Sequence, residues 1–342
     1  MPKRTVGGRA ALAAALVLTG CAGGAPAPRA GSAAAPVDPM ERLAALADDS
    51  LAGRRAGTPG AAAAAGMLAR WLAEAGVRPA GDSGFFQTVP GAGVNVVGRI
   101  DGAGDGAGDG AGDGAGGTAR DSAVVLGAHY DHLGVGRPVA GDSIYNGADD
   151  DASGVVAVVE AARALASGPP PRRTVVVLLT TGEEMGLLGT RAYLAKPVVP
   201  LERTVAELEV EMIGRPDSLA AGGGSAAAGR LWLTGDERST LGAALRSAGI
   251  DVVADPRPAQ NFFERSDNIA FARRGIPAHT LSSFGLHADY HQPGDEVARV
   301  DSAHFGRAVA AVVRAARAVA DGPAPRWHPG GSPAPAPEPG AE

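Results

Sequence analysis

The chain has 342 residues, of which 45% are hydrophobic and 20% are charged, and its formal net charge at pH 7 is −6. This length and composition are typical of a soluble globular protein with one large core or two small ones. Because the charge is only mildly acidic and no long run of Lys or Arg occurs, we expect no binding to nucleic acid.

The N-terminus has the pattern of an export signal. Basic residues precede an apolar stretch over 10–18 that is too short to span a bilayer as a mature helix. The stretch leads into Leu-Thr-Gly-Cys, which resembles a bacterial lipobox, whose cysteine is acylated after cleavage. Cys21 is the only cysteine, so neither a disulfide nor a cysteine metal site is available. We predict a lipoprotein signal over 1–21 and a lipid anchor at Cys21 in the cell envelope, at the outer membrane or periplasm of a Gram-negative host; a plain secretory signal is the alternative.

Three further segments have a low-complexity composition. We predict a flexible Pro/Ala-rich tether over 22–39, a disordered Gly/Asp-rich loop insertion over 101–118 and a disordered Pro/Ala-rich tail over 322–342. The fourfold DGAG repeat of the insertion could suggest a calcium-binding β-roll, but it lacks the apolar residue that buries each turn of such a roll. One folded domain is therefore expected over 40–321.

Within this domain, helical and extended patterns alternate. Leucines and other apolar residues recur at helical spacing between 41 and 75, which predicts two helices. The later elements, in chain order, are strands over 94–100 and 121–131, a helix over 153–165, a strand over 174–181, a helix over 185–195, a strand over 204–214, a strand over 229–235, a helix over 240–248, a strand over 276–283 and a helix over 303–320. The strand over 174–181 is continuously apolar, as in a strand buried on both faces. This order predicts an α/β fold, a three-layer αβα sandwich with a mostly parallel, mixed central sheet.

Three aspartates stand in a row in the stretch NGADDDASGVVAVVE, over 146–160. Adjacent carboxylates repel one another, and each one removed from water costs several kcal/mol unless it is paired, hydrogen-bonded or bound to a metal. One interpretation is a solvated loop in which Asp151 or Ser153 caps the following helix. The other is a site for a cation.

Other side chains that bind metals follow the predicted strands. In an open α/β sheet, ligands gather at the C-terminal ends of the strands. The candidates at such positions are His129, Asp131, Asp150, Glu183, Glu184, Glu211 and His291. Taken singly, each has a structural explanation, as a hydrogen-bonded histidine, a helix-capping acid or part of a solvated strand face. Two histidines and three carboxylates in this order instead favour a paired metal site. We interpret the remaining candidates among the histidines, His132, His279, His287 and His304, as structural.

Six motifs in this order resemble the M28 family of di-zinc peptidases, of the bacterial aminopeptidase type. They are AHYDHLG, GADDDASG, TTGEEMGLLGT, EMIGRPD, RSDNIAFARRGIPA and DYHQPGDE, and the resemblance covers the whole predicted domain. It implies a zinc-dependent metallopeptidase that hydrolyses peptide bonds, most simply an aminopeptidase acting on peptide substrates.

The resemblance also implies two Zn²⁺ ions per chain. One would be held by His129, Asp150 and Glu211, and the other by Asp150, Glu184 and His291, with Asp150 as the bridge and a cis peptide bond after it. Many relatives have aspartate where this chain has Glu211, and we expect a small backbone shift or a change in denticity to absorb the extra methylene.

The remaining roles also come from the resemblance. Glu183 matches the general base, and Asp131 matches the residue that fixes the tautomer of His129. Tyr290 matches a residue that stabilises the oxyanion in some relatives, and Arg265 matches a substrate-positioning residue.

Three alternatives remain within the range of this family. They are a dipeptidase or carboxypeptidase, a glutaminyl-cyclase-like acyltransferase, and a catalytically inert surface-binding lipoprotein. The presence of all five ligands and of the base disfavours the acyltransferase and the inert protein.

Overall fold

The computed structural model of the protein describes residues 1–3, 5, 37–104, 119–220 and 228–335. The lipobox with Cys21, most of the predicted signal and tether, residues 105–118 of the DGAG insertion and the end of the tail lie outside the described residues. Residues Ala35–Glu342 form one compact unit. Within the described ranges, none of the helices combines the length and the apolar character that a membrane crossing requires.

Two helices open the unit, α1 over Pro39–Leu46 and α2 over Pro59–Glu74. Each begins with a proline in its first turn, where a missing N–H costs nothing. The carboxylate of Asp38 accepts the backbone N–H of Met40, and the hydroxyl of Thr58 accepts that of Ala61, so both helix starts are capped. Their apolar faces are buried in the core, through Leu43, Leu46, Leu68 and Leu72.

The remaining elements of the described residues include every other strand and helix that the sequence predicts. The strands are β1 (Arg78–Pro79), β2 (Phe86–Val89), β3 (Gly93–Ile100), β4 (Ala123–His129), β5 (Gly134–Val139), β6 (Asp142–Tyr145), β7 (Thr174–Thr180), β8 (Thr204–Val210), β9 (Leu231–Leu233), β10 (Val252–Ala254) and β11 (Ala278–Ser282). The helices are α3 (Gly154–Ser167), α4 (Leu188–Ala195), α5 (Leu241–Ser247), α6 (Asn268–Ala272) and α7 (Ser302–Asp321). The short elements β1, β2, β5, β6, β10 and α6 were not predicted.

Nine strands form the central sheet, in the order β1-β3-β7-β4-β8-β11-β9-β10, with β2 paired to β3. β7, β4, β8 and β11 are parallel to their neighbours in this run. β3 pairs antiparallel with β7, and β11 pairs antiparallel with β9, so the sheet is mixed. Every residue of β4 and β7 is buried, as expected for strands covered on both faces.

Helices cover the sheet on both faces. Val124 and Leu126 of β4 belong to the core shared with α1, α2, α3, α5 and α7, whereas Ala123 and Val125 belong to the core shared with α4 and α6. Alternate residues of a strand point to opposite faces, so one strand contributes to both cores. The predicted three-layer αβα sandwich is confirmed.

A small hairpin, formed by β5 and β6, was not predicted from the sequence. It is a separate two-stranded sheet between β4 and the aspartate run. Its turn residues, Ala140 and Gly141, both have positive φ angles of 52° and 94°, and Val135 and Val139 are exposed.

The segment after α7 differs from the predicted disorder up to residue 335. The backbone N–H of Thr240 donates to Arg326, and the N–H of His328 donates to Arg238. Between them, the indole N–H of Trp327 donates to the carbonyl of Gly275, and its ring packs against the second core. A single aromatic side chain that covers apolar surface therefore orders a segment whose proline and glycine content predicts a flexible chain.

Candidate metal centre

Five predicted ligands meet at the C-terminal edge of the parallel strands. His129 is the last residue of β4, Glu184 follows β7, and Glu211 directly follows β8. His291 lies in the loop after β11, and Asp150 lies just before α3. Because β7, β4, β8 and β11 run in one direction, their C-terminal ends lie side by side, and the sheet brings together residues that are far apart in the chain.

Asp150 lies at the centre of this cluster. Its Oδ1 is 3.2 Å from Nε2 of His129, and its Oδ2 is 3.2 Å from Nε2 of His291. Nε2 of His129 is also 4.0 Å from Oε1 of Glu211. The two oxygens of one carboxylate therefore face two different imidazoles.

Two groups of side chains could each hold a metal ion, and they share Asp150. His129, Asp150 and Glu211 form the first, and His132, Asp150 and Glu184 form the second, with the ligand atoms of each group all within 4.8 Å of one another. The first is the ligand set that the resemblance implies. The second contains His132, which the sequence analysis interpreted as structural.

His291, the histidine that the resemblance implies for the second group, also lies against it. Its Nε2 is 3.2 Å from Oε1 of Glu184 as well as from Asp150. Imidazole nitrogen and carboxylate oxygen are ligands that suit zinc. Nε2 of His129 and Oε1 of Glu184 are buried and have no hydrogen-bond partner. Such orphaned atoms are costly unless a cation binds them, so the residues present fit a metal pair.

The electrostatics of the cluster are those of a site that needs positive charge. Although burial opposes ionisation, contacts with His129 and His291 hold the pKa of Asp150 well below its usual range. Burial likewise opposes ionisation at Glu184, but His132 and His291 lower the pKa of its carboxyl to about 2. Against the effect of burial, Asp150 and Glu184 raise the pKa of His291 to about 10. Carboxylates and imidazoles thus stabilise each other's charged forms, and bound cations would do the same for the carboxylates.

The other two aspartates of the run hold the backbone. Oδ1 of Asp149 accepts the N–H of Gly214 at 2.7 Å. Oδ1 of Asp151 accepts the N–H of Met212 and of Gly154, both at 3.0 Å. The contact with Gly154 caps α3, and those with Met212 and Gly214 fix the segment that carries Glu211. The peptide bond between Asp150 and Asp151 is cis. Of the three aspartates, the middle one is directed at His129 and His291.

Two charged residues that the sequence analysis did not single out support the Asp150 loop. The buried carboxylate of Asp295 accepts the backbone N–H of Asp149 and that of Asp150, at 2.9 Å to 3.1 Å. The guanidinium of Arg54, which is fully buried, donates to four carbonyl groups, among them those of Tyr130 and Gly147. Both bind backbone atoms beside the ligands, so they fix the loops rather than the metal. In the sequence they are one arginine and one acid among many, and no pattern marks them.

Asp131 contacts His129 through its backbone carbonyl and not through its carboxylate. Nδ1 of His129 lies 3.2 Å from the backbone carbonyl of Asp131 and 3.9 Å from its carboxylate. The carbonyl can only accept, so it fixes the tautomer with a proton on Nδ1 and leaves Nε2 free for a metal. The carboxylate of Asp131 instead accepts the backbone N–H of Glu183 at 3.1 Å and so positions the residue predicted as the base.

Glu183 belongs to neither ligand group. Burial, with Glu211 and Asp267 nearby, raises the pKa of its carboxyl well above the usual range, against the effect of His129. A carboxylate with a raised pKa accepts a proton more readily at neutral pH, which is the property that a general base needs.

Tyr290 and Arg265 line a pocket next to Glu211. The Tyr290 ring stacks on His291 at 3.9 Å between centroids, and its hydroxyl is 3.5 Å from the Arg265 guanidinium. The other lining residues are three aromatic side chains, Trp232, Phe262 and Phe284, together with one methionine and three side chains that carry hydroxyl groups. A pocket with both apolar and polar lining beside a candidate metal centre is a candidate binding site.

His287, which the sequence predicts to be structural, contacts the first aspartate of the run. Its Nε2 lies 3.0 Å from Oδ2 of Asp149. It stands four residues before His291, in the segment GLHADYH, and this proximity in the chain was the one available signal.

Comparisons with known proteins bear on the family and the fold of the chain. A sequence profile described as peptidase family M28 matches residues 113–316, which is more than half of the chain. A search among curated proteins gives no match.

Solved structures share the fold. The Legionella pneumophila LapA aminopeptidase has a TM-score of 0.60 and 18% identity, over 83% of this chain and 71% of that chain. BSAP, a zinc aminopeptidase from Bacillus subtilis, has a TM-score of 0.57 and 13% identity, over 82% and 93%. Porphyromonas gingivalis glutaminyl cyclase has a TM-score of 0.54 and 14% identity, over 81% and 96%. At these identities the likeness concerns the fold alone. The matched profile shows that this chain belongs to peptidase family M28.

Proposed function

We propose that the protein is a zinc-dependent aminopeptidase. The observation that carries the proposal is the position of Asp150, whose two carboxylate oxygens each lie 3.2 Å from a different imidazole, of His129 and of His291. A carboxylate in this position is suited to join two metal ions. The family and the fold of the zinc aminopeptidase BSAP support the same conclusion.

In this proposal, His129, Asp150 and Glu211 hold one zinc ion, and Asp150, Glu184 and His291 hold the other. Two bound zinc ions would polarise the carbonyl of the scissile peptide bond and lower the pKa of water, which is the chemistry that amide hydrolysis needs.

Glu183 carries the proton. It takes a proton from the attacking water and delivers it to the nitrogen of the leaving group. Its raised pKa suits both steps, and the hydrogen bond from its backbone to Asp131 keeps it at the edge of the cluster.

Tyr290 stabilises the developing oxyanion. Burial and the nearby Asp150 raise the pKa of its phenol, so that the hydroxyl stays protonated and can donate a hydrogen bond. Arg265 positions the substrate beside it, and the aromatic pocket accepts the side chain of the first residue.

The substrate needs a free α-amino group. The carboxyl group of Glu211 lines the pocket, and Glu211 keeps 20% of its side chain exposed. An ammonium group can donate hydrogen bonds to this carboxyl group, whereas an acetylated amine has neither the charge nor the donors to bind there.

The test is hydrolysis of matched peptides with free and N-acetylated termini. We expect the free peptides to be cleaved from the N-terminus at least ~10² times faster than the acetylated ones. A chelator should abolish cleavage, and added zinc should restore it. Equal cleavage of both sets would point to an endopeptidase or a carboxypeptidase, and cleavage that resists chelation would contradict the metal mechanism.

A second candidate function follows from the fold of the Porphyromonas gingivalis glutaminyl cyclase, which this chain shares. A peptide with N-terminal glutamine distinguishes the two activities, because cyclisation releases ammonia and hydrolysis releases free glutamine. Because the proposed general base and all five proposed metal ligands are present, we expect free glutamine to be the product.

We also propose that Cys21 anchors the enzyme to the cell envelope, on the basis of the lipobox in the sequence. A protein terminus that carries two or more acyl chains stays bound to a membrane. A single short acyl chain binds the membrane only reversibly. Fractionation and mass spectrometry of the N-terminus test this. Cys21→Ser should leave the membrane fraction or retain its signal, and wild-type protein that is wholly soluble and unacylated would disprove the anchor.

A further inference from the structure

His132 is a fully buried imidazole at the second metal position. Its Nδ1 lies 2.9 Å from Oε1 of Glu184 and 3.9 Å from Oδ2 of Asp150. It follows β4 by three residues, so the end of a central strand fixes its place. Its ring meets the ring of His291 edge-on, with 5.6 Å between centroids. Two imidazoles therefore lie against the same pair of carboxylates.

The hydrogen bonding of His132 differs from that of other buried histidines. In His279, Nδ1 contacts the carbonyl of Thr234 and Nε2 contacts the hydroxyl of Ser239, both at 2.7 Å. In His132, neither ring nitrogen has a hydrogen-bond partner, and Oε1 of Glu184 has none either. A buried polar atom left without a partner costs about 1–3 kcal/mol, so a structural histidine normally has one.

A shared cation accounts for this contact. The ring nitrogen of His132 and the carboxylate oxygen of Glu184 lie 2.9 Å apart without the geometry of a hydrogen bond, and a cation bound by both atoms would satisfy them. Zinc lies about 2.0–2.2 Å from nitrogen and oxygen ligands, and tetrahedral coordination then places two ligand atoms about 3.3 Å apart. The distances from Nδ1 of His132 to its two carboxylate neighbours, 2.9 Å and 3.9 Å, lie on either side of that value.

The two histidines also differ in how firmly they are held. The side chain of His132 is 0% exposed, whereas that of His291 is 34% exposed. His291 also has a positive φ of 55° and lies in a loop outside the sheet. Displacing His291 requires only loop movement, whereas displacing His132 would disturb the end of β4.

We propose that His132 is a ligand of the second metal and keeps that metal bound when His291 is displaced. His291 is then the exchangeable ligand of a position that Asp150, Glu184 and His132 hold from within the protein. This inference rests on the proposed two-metal site, and it adds a ligand to it.

The test is the zinc content and the second zinc affinity of the full chain. His291→Ala should retain two zinc ions per chain in elemental analysis, with the second bound about tenfold more weakly. His132→Phe, which keeps the ring volume, should weaken the second zinc at least ~10-fold. The double variant should bind one zinc. With Co²⁺ in place of zinc, loss of an imidazole at His132 should change the visible absorption of the second ion.

His279→Phe is the matched control, because it also removes a buried imidazole, and it should keep two zinc ions at wild-type affinity. Circular dichroism checks the fold of every variant, and His132→Leu replaces His132→Phe if the latter does not fold. Loss of one zinc in His291→Ala alone, or two zinc ions retained in the double variant, would overturn the proposal. Fewer than two zinc ions in the wild type would instead contradict the proposed two-metal site itself.

Discussion

The candidate metal centre and a second set of buried acids lie along the same strand, but their side chains have different neighbours. Glu211 directly follows β8 and faces the histidines. Glu207 and Glu209 lie within β8 on the same side as Glu211, because residues two apart share a face of a strand. Both are buried, at 0% and 1% exposure, and Asp267 before α6 lies near them.

Burial favours the protonated form at the inner pair. Burial, with Asp267 nearby, raises the pKa of Glu207 to about 8, so this carboxyl holds its proton at neutral pH. Burial and the neighbouring Glu207 raise the pKa of Glu209 well above its usual range. Gly127 on the adjacent strand β4 leaves space for these two side chains, because a Cβ at position 127 would lie 2.1 Å from Oε2 of Glu209.

The comparison shows that burial alone does not make an acid a metal ligand. Within the described residues, His and carboxylate ligand atoms converge only at the strand ends, in the two groups that share Asp150. Two residues further into the sheet, the same type of side chain meets other acids and Gly127 instead. Imidazole neighbours lower the pKa values of Asp150 and Glu184, and His129 opposes the effect of burial at Glu211, whose pKa is raised to about 7. The absence of imidazoles beside the inner pair favours the protonated form.

The largest contrast is expected from removing the bridge. Asp150→Ala leaves two cations facing each other with no carboxylate between them, so zinc content should fall and the hydrolysis rate should drop by at least ~10³. Glu209→Gln removes an acid that is equally buried, and it should keep both zinc ions. Elemental analysis and rates measured side by side check this. If Asp150→Ala retains two zinc ions, or if Glu209→Gln loses zinc, the contrast between the two sets of acids is wrong.

The next largest effect separates two adjacent glutamates. Glu183→Gln removes the proposed base, so kcat should fall by about 10²–10⁴ while zinc content stays that of the wild type. Glu184→Gln removes a proposed ligand, so it should lose zinc affinity as well as activity. Equilibrium dialysis against zinc, combined with kcat, measures both. If Glu183→Gln is the variant that loses zinc, or if it is fully active, the two roles are assigned wrongly.

A smaller effect, on stability and its pH dependence, is expected at the inner pair. The pKa of Glu207 in the folded protein, about 8, lies above the value for an unfolded chain, so its contribution to stability is complete at low pH and is lost as pH rises toward and past 8. Glu207→Gln cannot ionise. Its unfolding free energy relative to the wild type should therefore rise between pH 5 and pH 8, by on the order of 4 kcal/mol, and level off above pH 8. Urea unfolding across this range measures it, with the exposed Glu237→Gln as the control. If the unfolding free energies of the wild type and of Glu207→Gln change with pH in the same way, Glu207 is not protonated in the native state.

The smallest effect tests the space beside the inner pair. Gly127→Ala inserts a methyl group against Glu209 and should lower the unfolding free energy by about 1–3 kcal/mol while leaving both zinc ions bound. Gly306→Ala on the exposed face of α7, where an added Cβ meets nothing within 4 Å, should be neutral or slightly stabilising. A Gly127→Ala protein as stable as the wild type would show that the acids have more room than this structure gives them.

Much of the fold could be predicted because its signals are local. The apolar run of β7 and the helical spacing in α7 each lie within a single window of the sequence. The hairpin of β5 and β6 was missed because its residues are exposed and carry no apolar alternation. The order of Trp327 was missed because one aromatic residue in a proline-rich segment has no periodicity to detect.

The sequence by itself determined which residue types lie at the ends of the strands, and the motifs around Asp150, Glu184 and Glu211 were enough to indicate a metal site. Only the tertiary structure decided which contacts each of those residues makes. Asp149 and Asp151 bind backbone while Asp150 faces the histidines, and the carbonyl of Asp131, not its carboxylate, contacts His129. A side chain's role depends on which atoms come within about 3 Å of it, and those atoms come from strands far apart in the chain. For the same reason a buried histidine beside two carboxylates, His132, could not be told from a structural one until the sheet placed them together.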